Sequence, residues 1–362
     1  MLLGTSSFPL TAQYSETPAG SPLRGNWLFV GGSGPNNYTM IQDAIDSASN
    51  GDTIFVFDDS SPYYENVQID RSISLLGENR TTTILDGSFF DDVVTVSADL
   101  VTIAGFTIQN AGGADYVVGV SVYGDWCTIM DCYVVNNDFG IWLFESDNSS
   151  ISHVTVSSYR NSISLGDWNE ETVANYVTIS DNVIVNSHSG VQVGDFCLEP
   201  LIVNNYIANC FSGVYVFCDN ATVSGNLFEN NSEPIHLSSS QGTKILNNTM
   251  DSNQRRSIEM HYCRDCIISN NSFSECGIMI HGAGVEYFTH TISSDNQVNG
   301  KPLYYFFNED IDIDGWEIGQ LILVQCSGTV SKVNISHSSY AIQLAHCSNV
   351  TIRESVLQDN GY

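Results

Sequence analysis

Residues 222–231 read TVSGNLFENN, and the pattern returns as KILNNTMDSN at 244–253 and as IISNNSFSEC at 267–276. In each copy an aliphatic residue is followed three places later by asparagine. The aliphatic residues, separated by steps of 23, 21, 22 and 23, are Ile179, Ile202, Val223, Ile245 and Ile268. A fixed period of this length without helical periodicity indicates a solenoid of short strands.

A second alternating segment keeps the same period. It reads GIWL from residue 140, GVQV from 190, GVYV from 213 and GIMI from 277. Alternation of this kind is typical of a strand with one face inward and one outward. We therefore predict an all-β fold, a right-handed parallel β-helix with two or three strands and about 22 residues in each coil.

The repeated asparagines have a structural explanation. If the aliphatic residues point into the lumen, each asparagine lies near a bend, and successive copies stack about 4.8 Å apart. Each side-chain amide can then donate to the carbonyl of the next, which satisfies polar groups inside the coil. The predicted ladder consists of Asn182, Asn205, Asn226, Asn248 and Asn271.

The ends of the repeat predict the domain organisation. Residues 1–26 are predicted to be an arm or the remnant of a secretion signal, and 27–362 a single β-helix domain. Within it, 38–51 have amphipathic helical spacing that would cover one open end of the solenoid. The 62 residues between the aliphatic positions Ile268 and Val330 predict a strand insertion near 296–325 that leaves the coil before it resumes. The C-terminal end is expected to be open.

Charge excludes two classes of partner. The chain of 362 residues has 11 Lys plus Arg against 41 Asp plus Glu, for a net charge of −30. Nucleic acid and anionic bilayers would be repelled, and no apolar run is long enough for a membrane span. We expect the partners to be other copies of the chain or surface proteins and glycans.

Two residue types indicate an extracellular or cell-surface location. Nine N-x-S/T sequons, candidates for glycosylation, begin at Asn37, Asn79, Asn148, Asn220, Asn230, Asn247, Asn270, Asn334 and Asn349. The ten cysteines have no zinc-binding spacing, so disulfides and buried thiols are both open. Pairing of Cys263 with Cys266, or of Cys127 with Cys132, is one alternative. A column of small buried residues, Cys218, Ser240, Cys263, Cys326 and Cys347, is the other.

The block YTMIQDAIDSASNGDTIFVFDDSSPYYENVQIDRSISLLGENRTTTILDG (38–87) resembles the N-terminal cap and first coils of the pectate-lyase-like superfamily. The chain from residue 27 onward is most similar to the carbohydrate-binding and sugar-hydrolase (CASH) repeats and to the NosD-like proteins of archaeal surfaces. This resemblance implies a β-helix that is a polysaccharide lyase or epimerase, a metal-handling protein, or a surface protein without catalysis. The pectinesterase segment GxxDFIFG and the epimerase motif DPH are absent from the sequence.

Chemistry is expected where coil stacking brings outward residues together. One column contains Asp131, His153 and Asp181, with Tyr133 two residues further along its strand. Carboxylates beside a histidine can remove a proton from a sugar ring and return it. The alternative is a polar solvent face.

Two further sets predict metal binding, although no cofactor is required by the fold. His236, Glu259, His261 and His281 fall within a few coils of each other and could bind Cu or Zn. Asp310, Asp312 and Asp314, in DIDIDG, match the first half of an EF-hand calcium loop, but its closing glutamate is replaced by Leu321. A hairpin strand ending in a D-G turn is the other interpretation.

The sequence thus favours a secreted or cell-surface β-helix with a structural or adhesive role in an envelope, sheath or surface assembly. A polysaccharide-active enzyme, either a lyase or an epimerase, is the first alternative. A NosD-like metal-handling protein is the second. Enzymatic activity is left open, because no known catalytic motif is present.

Overall fold

The structure, a computed structural model, describes residues 25–113, 115–166, 172–253 and 258–361. These residues form an all-β parallel solenoid of about 15 turns with about 22 residues per turn, so the predicted fold class is confirmed. Among the described residues no helix is long and apolar enough to cross a membrane. The predicted arm, 1–26, lies outside the described residues except for its last two.

A first stack of coils occupies the chain up to residue 298. Its only α-helix among the described residues is α1 (Ile41–Ser47), and a 3-10 helix spans Val285–Phe288. Its strands are β1 (Trp27–Val30), β2 (Thr53–Val56), β3 (Tyr63–Tyr64), β4 (Val67–Ile69), β5 (Ser74–Gly77), β6 (Ile84–Asp86), β7 (Val94–Val96), β8 (Thr102–Ala104), β9 (Thr107–Gln109), β10 (Val118–Val122), β11 (Thr128–Met130), β12 (Tyr133–Asn137), β13 (Phe139–Leu143), β14 (Ser150–Ser152), β15 (Thr155–Ser158), β16 (Asn161–Leu165), β17 (Thr178–Ser180), β18 (Val183–Val185), β19 (Ser189–Val193), β20 (Leu201–Val203), β21 (Tyr206–Ala208), β22 (Ser212–Val216), β23 (Thr222–Ser224), β24 (Leu227–Glu229), β25 (Glu233–Ser238), β26 (Lys244–Leu246), β27 (Thr249–Asp251), β28 (Ile258–His261), β29 (Ile267–Ser269), β30 (Ser272–Phe273), β31 (Ile278–His281), β32 (Thr291–Ile292) and β33 (Gln297–Val298).

Each regular coil contributes one strand to each of three parallel sheets. Sheet A has twelve strands and runs from β1 to β32, sheet B includes β3 to β33, and sheet C has ten strands and runs from β4 to β31. The aliphatic positions of the repeat lie in sheet A, where Ile202 pairs with Val223 and Val223 with Ile245. All three are fully buried in the lumen.

The asparagines form a continuous hydrogen-bonded ladder beside sheet A. Asn226 Nδ2 donates to Asn248 Oδ1 at 3.1 Å and to the Ile202 carbonyl at 2.9 Å, and the Asn226 backbone N–H donates to the same Asn248 oxygen at 2.9 Å. Asn182, Asn205, Asn248 and Asn271 repeat this arrangement, and Asn296 extends it by one coil. Buried polar groups at this bend are therefore paired.

Helix α1 is shorter than the predicted 38–51 and packs on the N-terminal coils. Its buried residues Ile41, Ala44 and Ile45 face the core. The carboxylate of Glu65 accepts hydrogen bonds from the backbone N–H groups of Ile41 and Gln42, at 2.8 and 2.9 Å. A carboxylate at this end satisfies free helix N–H groups and favours the positive end of the helix dipole.

A second stack follows a chain reversal at 299–300. Its strands are β34 (Lys301–Phe307), β35 (Asp310–Asp314), β36 (Gln320–Val324), β37 (Ser327–Ser331), β38 (Asn334–Ser336), β39 (Ile342–Ala345), β40 (Val350–Arg353) and β41 (Val356–Gln358). Strand β34 pairs antiparallel with β33 and parallel with β36. The predicted insertion at 296–325 is therefore wrong in one respect. The first stack does not resume at Val330, because β37 pairs with β35 and β40 in a sheet of their own, around a second core. Strands β34, β36 and β39 extend sheet B and join the two stacks.

The second stack also covers the last strand of sheet C. Gln320 Oε1 accepts from the Ile278 N–H at 2.9 Å, and its Nε2 donates to the Ile278 carbonyl at 2.6 Å. Gln343 makes the same pair of contacts with Ile280, at 3.3 and 2.6 Å. Two side-chain amides thus pair with the edge of β31, which would otherwise present free backbone groups.

Candidate functional site

The outer face of sheet C contains the candidate site. Parallel pairing places Tyr215, His236, Glu259 and Met279 side by side in one row, and Ser238, His261 and His281 in the next. Neighbouring strands of a sheet lie about 4.8 Å apart, so residues many positions apart in sequence become direct neighbours. The structure therefore brings together all four of the residues that the sequence predicted as a copper or zinc site.

We call Glu233, His236, Glu259, His261 and His281 the acid-imidazole cluster. The Glu259 side chain is 4% exposed and lies at its centre. Its Oε2 atom is 3.8 Å from His236 Nδ1 and 3.6 Å from His261 Nε2, and its Oε1 atom is 3.9 Å from His281 Nε2. One buried carboxylate thus faces nitrogens from three imidazoles.

The rings of the cluster are stacked along the solenoid. His236 and His261 are parallel within 4°, with centroids 4.8 Å apart, and His261 and His281 are parallel within 11° at 4.2 Å. Tyr215 continues the stack, 4.4 Å from the His236 ring. Stacking in adjacent strands holds the ring planes in position beside Glu259.

Sequence reasoning missed Glu233, whose Oε2 atom lies 3.3 Å from His236 Nδ1. Strict alternation counted back from His236 places Glu233 in the lumen. In β25 both Pro234 and Ile235 are buried, so the alternation breaks and the carboxylate emerges outside. The proline after Glu233 was the one available signal, because proline inside a strand pattern often marks a bulge.

The rest of the outer face combines amides with aromatic rings. Asn161 Nδ2 donates to Gln192 Oε1 at 2.9 Å and to Ser164 Oγ at 3.1 Å. At the N-terminal end, Trp142 stacks on Phe144 with centroids 4.6 Å apart, but its side chain is buried and its Nε1 donates to the Gly166 carbonyl. Accessible rings at this end are those of Tyr116 and Tyr123.

The column predicted to be catalytic lies elsewhere, in turns that follow sheet A. Asp131, His153 and Asp181 are exposed, with φ angles of 50°, 55° and 58°. The same position in later coils is filled by Asn204, Gly225, Asn247 and Asn270, all with positive φ. Left-handed backbone favours Gly, Asn and Asp, so the backbone explains most of these residue types without any chemistry.

Tyr133, the fourth predicted member of that column, contacts a cation. The Arg80 guanidinium lies 4.8 Å from its ring centroid and also donates to the His153 carbonyl at 3.1 Å. The arrangement covers the Tyr133 ring with a protein side chain.

The aspartate series predicted as a calcium loop is strand β35, with an alternating exposed and buried pattern. Asp310 accepts from Ser327 Oγ at 3.0 Å, and Asp314 lies 3.1 Å from Lys332 Nζ. An EF-hand loop curls around its ion, whereas an extended strand spreads alternate residues along one face, so the EF-hand comparison does not apply. The alternative of a half-exposed strand that ends at Asp314-Gly315 agrees with β35, but its pairing as a hairpin is wrong, because β35 pairs with β37 in parallel.

All ten cysteines are free thiols, and only Cys347 is not fully buried. Burial raises the pKa of Cys127 to about 11 and that of Cys132 to about 12. A hydrogen bond between Cys263 and Cys266 lowers the pKa of Cys263 and raises that of Cys266. Cys218, Ser240 and Cys263 occupy one turn of the first stack, whereas Cys326 and Cys347 occupy the second stack, so the predicted single column is two.

The asparagines of the nine sequons all have access to solvent. Seven are exposed, and Asn37 and Asn148 are half-buried. Asn230, Asn247 and Asn270 are turn residues with positive φ, each followed by a fully or almost fully buried asparagine.

Comparison with known proteins agrees with the architecture. Residues 168–315 match the family model for a right handed beta helix region. No curated protein matches the sequence. Similar solved structures include XylC in complex with xylose (11% identity, TM-score 0.56), aligned over 88% of this chain and 86% of XylC. A PL6 alginate lyase in complex with a trisaccharide (11% identity, TM-score 0.53) aligns over 94% of this chain and 89% of the lyase.

The Dettilon tailspike protein gp208 is a third similar structure, with 13% identity and a TM-score of 0.54 over 84% of this chain. The chain spans 64% of the length of that tailspike. At these identities the likeness shows the fold alone. The chain is a right-handed parallel β-helix, and its chemistry has to be argued from its own outer face.

Proposed function

We propose that this chain is an extracellular β-helix that binds a neutral saccharide chain along the outer face of sheet C, in an adhesive or structural role. The observation that supports the proposal is the succession of amide, aromatic and carboxylate groups on that one face. Gln192, Tyr215 and His236 are consecutive in its central row. Aromatic faces that stack on sugar rings, beside a few polar groups that fix orientation, are typical of ligand sites.

The face has the length that a chain-like ligand needs. Eight strands, from β10 to β31, lie next to each other in sheet C. At about 4.8 Å per strand this gives a strip of about 34 Å. Tyr215 and Phe217 stand near its middle with ring centroids 4.2 Å apart. A strip of this shape suits several consecutive sugar units better than a single small molecule.

Charge favours a neutral saccharide. A net charge of −30 repels polyuronates at long range, and the acid-imidazole cluster adds two carboxylates to the face. Xylose and a trisaccharide accompany two proteins of similar fold, which makes sugar a reasonable ligand class to test. An exported location is consistent with the solvent access of all nine sequon asparagines.

The experiment is a binding screen against neutral and uronic-acid polysaccharides in the presence of a chelator. We expect binding of a neutral polymer that weakens up to about tenfold in Tyr215→Ala, since stacking on one aromatic ring contributes about 0.5–1.5 kcal/mol beyond the area that it buries. Tyr206→Ala is the matched control, because Tyr206 points outward from sheet B and bonds to Glu229 at 2.8 Å.

Two results would overturn this function. One is equal affinity in Tyr215→Ala and the unsubstituted chain for every polymer that binds. The other is release of unsaturated or epimerised sugar, which would make the chain a polysaccharide lyase or epimerase instead of an adhesive protein.

A further inference from the structure

We propose that the acid-imidazole cluster binds one divalent transition-metal ion, Zn²⁺ or Cu²⁺. The ligands are His236 Nδ1, His261 Nε2 and the Glu259 carboxylate, with His281 Nε2 as a fourth. This site goes beyond saccharide binding, because it needs no sugar, although it shares His236 with the central row of the saccharide face. Its ligands come from the consecutive strands β25, β28 and β31.

The distances between the ligand atoms fit such an ion. Zinc binds nitrogen and oxygen at about 2.0–2.2 Å, so ligand atoms in a tetrahedral site are about 3.4 Å apart. Glu259 oxygens lie 3.6, 3.8 and 3.9 Å from the three imidazole nitrogens. The ligand atoms of His236, Glu259 and His261 all lie within 4.8 Å of one another. Movement of each imidazole nitrogen by a few tenths of an ångström toward Glu259 would bring these distances to the tetrahedral value.

Partial exposure allows the remaining adjustment. The stacked rings must tilt so that two nitrogens point at one ion. The His261 and His281 side chains are 32% and 36% exposed, which leaves room for rotation about their terminal torsion angles. Glu259 is almost fully buried and keeps its position. The site therefore combines one fixed carboxylate with adjustable imidazoles.

The donor types select the ion. Imidazole with carboxylate suits zinc and copper, whereas calcium and magnesium prefer oxygen ligands alone. Glu233, beside His236 Nδ1, can hold that ring through a hydrogen bond or add an oxygen, as partners outside the ligand set commonly do. The net charge of −30 raises the local concentration of any cation.

Calorimetric titration of tag-free full chain, without saccharide, tests the site. We expect one equivalent of Zn²⁺ to bind, with no comparable binding of Ca²⁺ or Mg²⁺. His261→Ala should weaken Zn²⁺ binding about tenfold or more, a loss typical of metal-site substitutions. His188→Ala is the matched control, since His188 is an exposed histidine stacked on Phe211 at the side of the same sheet, and it should bind as the unsubstituted chain does.

Copper provides a second readout that a fold defect would not mimic. The electron paramagnetic resonance spectrum of the Cu²⁺ complex should show coupling to at least two nitrogens, and His236→Ala should lose one of them. Circular dichroism confirms that each variant is folded. Equal Zn²⁺ affinity in His261→Ala and the unsubstituted chain, or a copper spectrum unchanged in His236→Ala, would overturn the proposal. The saccharide screen includes a chelator, so either proposal can fail alone.

Discussion

Two outward columns of this solenoid place acidic and imidazole side chains on neighbouring coils, and they differ in what holds them there. Asp131, His153 and Asp181 are exposed turn residues with left-handed backbone. His236 and Glu259 lie on extended strands, and the Glu259 side chain is 4% exposed. The backbone accounts for the first column, because left-handed turns favour short polar residues. It gives no reason for a buried glutamate among histidines.

This difference gives a rule for finding chemistry in a repetitive fold. A polar residue that recurs at one position of the coil satisfies the backbone of every coil. A polar residue that appears in only two or three coils is not required by the coil. The turn residues Asn204, Asn247 and Asn270 belong to the first kind, and the acid-imidazole cluster belongs to the second.

The largest expected loss of stability comes from replacing an asparagine of the buried ladder, which recurs in successive coils. Asn226→Leu removes the acceptor of the Asn205 backbone N–H and of one Asn205 side-chain N–H, and it removes the amide donor to the Ile202 carbonyl, all in a buried site. We expect a loss of about 3–4 kcal/mol in the free energy of unfolding. Asn247→Gly, at the adjacent exposed turn, should cost less than about 0.5 kcal/mol, since glycine adopts positive φ freely. Chemical denaturation measures both; equal losses would contradict the division into ladder and turn.

His290 is a buried histidine, unlike the partly exposed histidines of the outer face, and its burial should make the stability of the protein depend on pH. His290 accepts from the Cys266 N–H, and burial lowers its pKa from 6.5 to about 4. Between pH 6.5 and 4 the unfolded chain gains a proton that the folded chain does not. The free energy of unfolding should therefore decrease by about 3 kcal/mol as pH falls through this window.

Comparison with His290→Gln isolates this contribution from the carboxylates. The difference in free energy of unfolding between the two proteins should change between pH 6.5 and 4 and be constant above and below that range. His188→Gln, on the exposed surface, should leave the pH dependence unchanged. A constant difference between the two proteins across the window would contradict the burial argument.

The contact between the two stacks should have an intermediate effect. Gln320→Met removes both hydrogen bonds to Ile278 while keeping much of the side-chain volume. We expect about 2 kcal/mol of destabilisation, since a buried donor and acceptor lose their partners. Hydrogen exchange should quicken at the Ile278 amide and stay unchanged at Val214, within sheet C. Unchanged exchange at Ile278 would mean that Gln320 does not protect this edge.

The smallest effect is expected in the exposed turn column. Asp181→Gly should be nearly neutral, whereas Asp181→Val should cost about 1–2 kcal/mol because a branched residue resists left-handed backbone. Neither substitution should alter saccharide or Zn²⁺ binding. If Asp181→Gly lost either binding activity while its stability was unchanged, the exposed turn column would have a functional role after all.

The repeat made the solenoid and its ladder predictable from sequence, because one period fixes both the inward aliphatic residues and the asparagine three positions later. It also accounts for several sequons. In Asn247-Asn248-Thr249 the first asparagine forms the turn, the second joins the ladder and the threonine starts β27. Such sequons arise from the coil itself, so they are weak signs of glycosylation.

What the repeat does not encode could not be predicted. The reversal at 299–300 begins a new stack, and the Gln320 and Gln343 contacts join residues 42 and 63 positions apart in sequence. Glu233 was missed because Pro234 breaks the alternation. The histidines of the cluster were found, since strand register follows from the period. Their closeness to a buried carboxylate depends on side-chain conformations that no spacing specifies.

The most direct test of the central claim is anomalous diffraction at the zinc absorption edge from crystals of the full chain grown with Zn²⁺. If the acid-imidazole cluster binds Zn²⁺, we expect a peak bounded by His236 Nδ1, His261 Nε2 and the Glu259 carboxylate. A peak beside Asp131, His153 and Asp181 instead, or no peak at the acid-imidazole cluster, would contradict that claim.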